Sequence, residues 1–315
     1  NFNAYTSRES TSYETLLPPE SLRAGVGMLA EVIVSPLLTG IEAERDIIRE
    51  EILADYDEEL RLINVDDLLV ECLYSGGMAR TIAGEPDTHA KLTRAAVLEH
   101  YRGYYVGSNA VIAVVGRIDA EELDELVAET FAPLRPGPSL PLDKPSPKPS
   151  PKPQLHYHEY DGVGQTELAF GTIAEPTDSP TFPALETAIR LLDDGLSSRL
   201  PRRLIDELGL VYDVEAFSVA ARESTLCELR LACRHRRVPR VVDELLDVLT
   251  ILATTEPGED ELERTKRRVL WEHQALLDRP AALSQWLVAH AHRGNIGDPR
   301  ARCERLLEVS GAQVQ

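Results

Sequence analysis

The sequence predicts an α+β protein of two structurally similar domains, each a mixed, mainly antiparallel sheet packed with helices. Three observations lead there. Helix-period and strand-period segments are interspersed along the whole chain. In each half a strand-like run precedes an amphipathic helix near the end, which suggests a duplicated unit. And one proline-dense stretch, "PGPSLPLDKPSPKPSPKP" at 136–153, holds eight of the 21 prolines. Proline fixes φ and removes a donor, so an extended, semi-rigid linker is predicted there. The layout that follows is a first domain at 1–135, a linker at 136–153 and a second domain at 154–315.

The elements follow in order. "NFNAYTS" at 1–7 is strand-like. Leu22, Val26, Leu29, Ala30 and Ile33 keep helical spacing and stop at Pro36. An acidic helix, "IEAERDIIREEILADYDEE", covers 41–59. "AVIAVVG" at 110–116 predicts a buried strand, and "DAEELDELVAETF" a helix capped by Asp119. Beyond the linker, "LHYHEY" and "QTELAFGTI" predict strands, followed by a helix over 181–194. "LVYDVEAFSVA" and "TLCELRLAC" alternate as strands, and helices are predicted at 238–254, 259–277 and 281–292.

With 315 residues, 43% hydrophobic and 27% charged, the chain is long enough for two cores. No apolar run approaches the roughly 18 residues of a membrane span. A net charge of −20 argues against nucleic acid, whose phosphates need a basic surface. It serves solubility and is compatible with cationic peptides. Cys72, Cys227, Cys233 and Cys303 form no CxxC pair. Cys227 and Cys233 share one strand face but stand roughly 20 Å apart, too far for a bridge. Free thiols favour a reducing compartment such as the cytoplasm. The chain starts inside a strand-like run and stops where another element begins, so both ends read as cut, and targeting information with them.

The acidic helix has an odd face. At 100° per residue from Ile41, the polar residues Glu42, Arg45, Asp46, Arg49 and Glu50 fall between about 40° and 180°. Ile47, Ile48 and Ile52 define an apolar arc from about 240° to 20°. Glu44 and Glu51 fall inside that arc at about 300° and 280°, stacked two turns apart, and Asp55 joins them near 320°. A carboxylate facing a core needs a partner or a cation. The geometry leaves three readings open: a structural salt bridge, a metal or catalytic role, or a solvated edge.

Other candidates have simpler accounts. His156 and His158 would share one side of a strand, as a surface feature or a two-ligand metal pair. His290 and His292 do not face each other on a helix. "DGVGQ" lacks the helix start of a dinucleotide loop and reads as a turn. No G-x-S-x-G occurs. The proline repeat could serve as a docking ligand, though a linker accounts for it.

Several motifs in order carry a resemblance. "NAYTSRESTSYE" at 3–14, "SP" at 35–36, "ERDIIREEI" at 44–52 and "RTIAGEPDTHAKLTRAAVLEHYRGYYVGSNAVIAVVGRID" at 80–119 are among them. With "LDDGLSSRLPRRLIDELGLVYDVEAF" at 192–217, they resemble the insulinase/pitrilysin family of zinc peptidases. The short two-domain subunits of the mitochondrial-processing-peptidase branch are the most similar type. The resemblance implies a Zn2+ site built from an H-x-x-E-H helix and a downstream glutamate, here Glu51, with Glu44 as an accessory acid. It implies that the two histidines and the general base lie upstream of Asn1, because no H-x-x-E-H occurs in the 315 residues. The chain alone is therefore expected to be an incomplete, inactive part of an endopeptidase subunit. Asn3, Ala4 and Tyr5 are expected to pair with an extended peptide substrate. Tyr212 matches the tyrosine of the family's Arg/Tyr pair, but Ile205 stands at the arginine, so that half-site is impaired unless Arg202 or Arg203 compensates. Retained acids with a lost arginine fit the zinc-bearing member of a dimer with a related subunit. The alternative is a non-catalytic structural or chaperone-like partner.

Overall fold

A computed structural model describes residues 2–138, 146–148, 152–159, 164–294 and 297–315. The chain divides into two compact units that interleave in sequence. The first comprises Asn1–Leu62, Arg80–Lys144 and Arg279–Ala289, and the second Ile63–Ala79, Pro145–Asp278 and His290–Gln315.

Element order starts with β1 (Phe2–Thr6), β2 (Thr11–Thr15), α1 (Leu22–Val34), α2 (Ile41–Ala54), α3 (Val65–Leu73) and β3 (Tyr74–Ser75). Next come α4 (Pro86–His89), α5 (Arg94–Tyr104), α6 (Ala120–Phe131), β4 (Ser146–Pro147), β5 (Thr166–Ala174) and α7 (Phe182–Leu192). Then follow β6 (Val214–Ala220), β7 (Thr225–Cys233), α8 (Val238–Thr254), α9 (Glu259–Leu277), α10 (Pro280–His292), α11 (Pro299–Leu307) and α12 (Gly311–Val314). All ladders are antiparallel, and the fold class is α+β. No described helix is long and apolar enough to cross a membrane.

In the first unit β1 and β2 form a hairpin in the register Phe2↔Thr15, Ala4↔Tyr13 and Thr6↔Thr11. Its turn is closed by the Ser7 N–H donating to Ser10 O at 2.8 Å. Helix α1 packs on β2 and α6, burying Val26, Ala30 and Leu126. Asp119 caps α6 by accepting from the backbone N–H groups of Glu121 and Glu122. Helix α2 starts at Gly40, whose φ of 74° is left-handed, and packs on α4 with Ile52 fully buried.

The second unit is built on the sheet β5-β7-β6. One face carries Leu168, Val214, Leu231 and Cys233. These join Leu191, Leu200, Leu204, Val241, Leu245 and Leu252 in the main core. The other face is covered by α3: Leu226 and Ile173 pack with Val70 and Tyr74, and the Tyr74 hydroxyl pairs with Ser224 Oγ at 3.0 Å. Arg230 on the same face binds Asp66 and Glu215. Pro147 and Ser146 pair with Tyr74 and Ser75, and Lys148 donates its backbone N–H to Leu73 O and its ammonium to Glu71 O. That stretch of the linker thus caps α3, whose last carbonyls would otherwise lack donors. Linker residues 139–145 and 149–151 lie outside the described ones, as do 160–163, which hold the last residue of "LHYHEY" and the first three of "DGVGQ". Helices α7, α9 and α11 are tied by Arg190, Arg268 and Arg302 interleaved with Glu186, Asp194 and Glu272.

Two predicted strands are not strands. Residues 110–115 have no ladder partner among the described residues, and Val111 and Ile112 are 46% and 42% exposed. Residues 155–159 likewise form no strand, with Leu155 92% exposed. Alternation supplies a face to bury, but a strand also needs a neighbour for its N–H and C=O groups, and none is described beside either run. All four cysteines are free thiols.

Gly171 on β5 sets the approach of α3, since a Cβ there would lie 2.8 Å from Leu69 Cδ2 and 2.9 Å from Leu73 Cδ1. Gly171→Val should therefore lower stability by about 1–3 kcal/mol through overpacking, measurable by urea unfolding. Arg199 grips Glu261 through two bonds of 2.8 and 2.9 Å. That hydrogen bond holds the Glu261 carboxyl below its usual range against the opposing effect of burial. A depressed carboxyl stabilises fully above its unfolded value of about 4.3 and loses that contribution as pH falls through the folded value. Glu261→Gln should cost about 1–3 kcal/mol at pH 7 and little once the carboxyl is protonated in both states. Thermal melts at pH 7 and at low pH would show the gap between variant and parent closing.

Candidate functional site

The acidic stripe of α2 does not face a core. Ile52 is buried and Ile41, Arg45, Ile48 and Leu53 are half-buried, so the packed arc is centred near Ile52. Arg45 on that side donates to Leu92 O at 3.3 Å. Glu44 and Glu51 are both exposed, and between them on the same stripe lies Ile47, 58% exposed. The apolar arc read from the sequence is thus only partly packed. Neither carboxylate has a hydrogen-bond or ion-pair partner among the described residues. Two turns of helix put their Cα atoms about 10 Å apart along the axis.

Asn3, Ala4 and Tyr5 lie on β1, opposite Glu14, Tyr13 and Ser12 of β2. Every residue of β1 is exposed, and its outer edge pairs with no described strand. An edge of that kind offers alternating N–H and C=O groups to an extended chain.

In the second unit Tyr212 is 94% exposed, just after a π-helical stretch over Pro201–Glu207. Ile205 in that stretch packs against the main core beside the fully buried Leu204. Its neighbours do not replace an arginine. Arg202 donates to Glu207 at 3.0 Å, and Arg203 binds Glu244 at 2.6 and 2.8 Å and Glu207 at 3.1 Å. Both guanidinium groups are committed to carboxylates of their own unit.

His156 is exposed, and the segment that holds it and His158 is not a strand, so the shared-face geometry proposed for the pair is not formed. Among the described residues no three His, Cys, Asp or Glu side chains gather as a metal site. A tyrosine cluster in the first unit is not among the candidates singled out from the sequence. The Tyr13 and Tyr105 hydroxyls pair at 2.8 Å, and the Tyr101 hydroxyl reaches Ile33 O and Val34 O at 2.9 and 2.8 Å. Burial, reinforced by Tyr105, pushes the Tyr13 phenol far above its ordinary value. The i,i+4 spacing of Tyr101 and Tyr105 is the signal that points to them.

A family model described as Insulinase (Peptidase family M16) matches residues 1–85, and one described as Peptidase M16 inactive domain matches 91–269. A Mycobacterium leprae protein described as an uncharacterized zinc protease is 27% identical over 257 residues, 80% of this chain and 57% of its own length. The mitochondrial-processing peptidase subunit beta of Dictyostelium discoideum is 25% identical over 284 residues, 86% of this chain and 60% of its own. The chain therefore spans under two thirds of these relatives. The crystal structure of the peptidase M16 inactive domain from Pseudomonas fluorescens superposes with a TM-score of 0.86 at 19% identity, covering 100% of this chain and 76% of that one. With two family models matched in order along most of its length, the chain belongs to the insulinase (M16) peptidase family.

Proposed function

We propose that this chain is part of a zinc-dependent endopeptidase subunit that hydrolyses peptides. In this reading Glu51 supplies one metal ligand, Glu44 assists beside it, and the β1 edge at Asn3, Ala4 and Tyr5 receives the substrate backbone. The observation that carries it is the pair of unpartnered, solvent-open carboxylates on one stripe of α2. A surface that leaves two acids of one stripe without cationic neighbours suits a cation. The net charge of −20 would draw cationic peptides in the same way.

The described residues do not build a zinc centre by themselves. A catalytic zinc takes three protein ligands, and no third donor joins Glu44 and Glu51. The chain contributes a ligand and an acid, and hydrolysis is a property of a larger assembly of residues. In the protein expressed from its full reading frame, Glu51→Gln should lower zinc content and cleavage of a quenched peptide by at least about 100-fold. The exposed position should leave the fold intact by circular dichroism. Unchanged zinc content and cleavage in Glu51→Gln would overturn the ligand assignment.

The second half favours a partnership. Ile205 packs against the core, and Arg202 and Arg203 are held by Glu207 and Glu244, so none of the three is placed to hold a substrate carbonyl beside Tyr212. A related subunit supplying that arginine would complete the site, as the zinc-bearing member of a dimer requires. A structural or chaperone-like partner role is the rival, supported by the inactive-domain description of the matched C-terminal model. Co-expression with a related Arg/Tyr-bearing subunit should raise peptide cleavage at least about tenfold over the chain's own homo-oligomer. Equal cleavage would favour a homodimer, and none in either the non-catalytic role.

A further inference from the structure

A cavity of about 320 Å³ opens in the first unit where α1 and α5 end. Its apolar wall is Val34 and Leu134 with the rings of Tyr101 and Tyr105, and its charged rim is Arg102 and Arg135. The two rings lie 5.1 Å apart between centroids, tilted by 35°.

The polar groups nearby are already spoken for, except the two cations. The Tyr101 hydroxyl donates to the carbonyls that end α1, and the Tyr105 hydroxyl is bound to Tyr13. Arg135 donates Nη2 to Arg102 O at 2.6 Å, one of its five N–H donors, and so caps the end of α5. Arg102 in the last turn of α5 complements the helix dipole, which accounts for one cation there. It does not account for two in one cavity. Neither guanidinium has a carboxylate partner among the described residues, and no acid lines the cavity. On a chain with 53 acidic and 33 basic residues, two like charges left facing one hollow are the exception. Both residues are exposed, so water solvates them in the empty cavity, and an anion entering it would meet two cations and no acid.

We propose that this cavity binds a small organic carboxylate with a flat apolar body. The guanidinium forks take the carboxylate, and the Tyr101 and Tyr105 rings receive the body by stacking. The volume admits a benzoate or one terminal aromatic amino acid, at the lower end of ordinary ligand sites. The carboxylate could belong to a free acid or to the C-terminus of a peptide chain. The proposal stands apart from the peptidase reading, since neither Glu44, Glu51 nor β1 lines the cavity.

The test is a titration of the whole chain with benzoate, N-acetyl-phenylalanine, N-acetyl-phenylalanine amide and inorganic phosphate, followed by the tyrosine ring signals in NMR. The two carboxylates should saturate below about 10 mM, the amide should bind at least about tenfold more weakly, and phosphate should shift the rings less. Arg102→Gln removes a side chain with no described hydrogen bond, so the fold should survive. It should weaken the carboxylates on the order of tenfold, with Arg102→Lys falling between. N-acetyl-phenylalanine binding more tightly than benzoate identifies a peptide C-terminus, and equal affinity a free acid. No saturation by about 10 mM, equal affinity for the amide, or no effect of Arg102→Gln in a folded variant would overturn the proposal.

Discussion

Strand β7 has both edges hydrogen-bonded, to β5 and β6, and both faces covered. Along its length the sequence must therefore satisfy two cores at once. Leu231 and Cys233 turn to the helical core, while Leu226 turns to α3 with Arg230 beside it as a salt-bridged cation. Because α3 precedes the proline-rich segment and β7 follows it, the second unit is assembled from both sides of that segment. The pairing of residues 146–147 with Tyr74 and Ser75, and the Lys148 cap, fasten the same helix from the other end. Removing α3 would expose one face of the sheet to water, Ile173 and Leu226 with it.

Much of this was legible in the sequence. The helices at 238–254 and 259–277 agree with their predicted bounds, because long, strongly periodic segments with proline or acidic starts leave little freedom. Strands β6 and β7 follow from their alternation for the same reason. The units do not follow linear order, since α3 is assigned to its sheet by contacts that no local pattern contains. Residues 110–115 and 155–159 failed as strands because ladder pairing is a property of two segments, and a one-segment pattern carries no information about the second.

The candidate site shows the same division. Spacing alone identified Glu44 and Glu51 as sharing a stripe, and that geometry holds. Whether the stripe faces protein or solvent depended on which part of the apolar arc α4 covers, and it covers the Ile52 side. The position of Ile205 in the core, and the capture of Arg202 and Arg203 by Glu207 and Glu244, could not be read from spacing either. Those ion pairs span up to 41 residues and appear only once the chain folds.

The open outer edge of β1 has a consequence for how copies of the chain behave in solution. A strand with Phe2 and Tyr5 each 44% exposed, and with no described partner on its outer edge, is a template that accepts another strand without regard to what that strand belongs to. A second molecule is as suitable a partner as any peptide. The charge of −20 then acts as a colloidal guard, since approaching copies repel before their edges meet. That guard works only over the Debye length, which shrinks to about 3 Å in 1 M salt. Dispersal of the chain in dilute buffer is therefore set by long-range repulsion as well as by the shape of its surface, and concentrated salt removes one of the two.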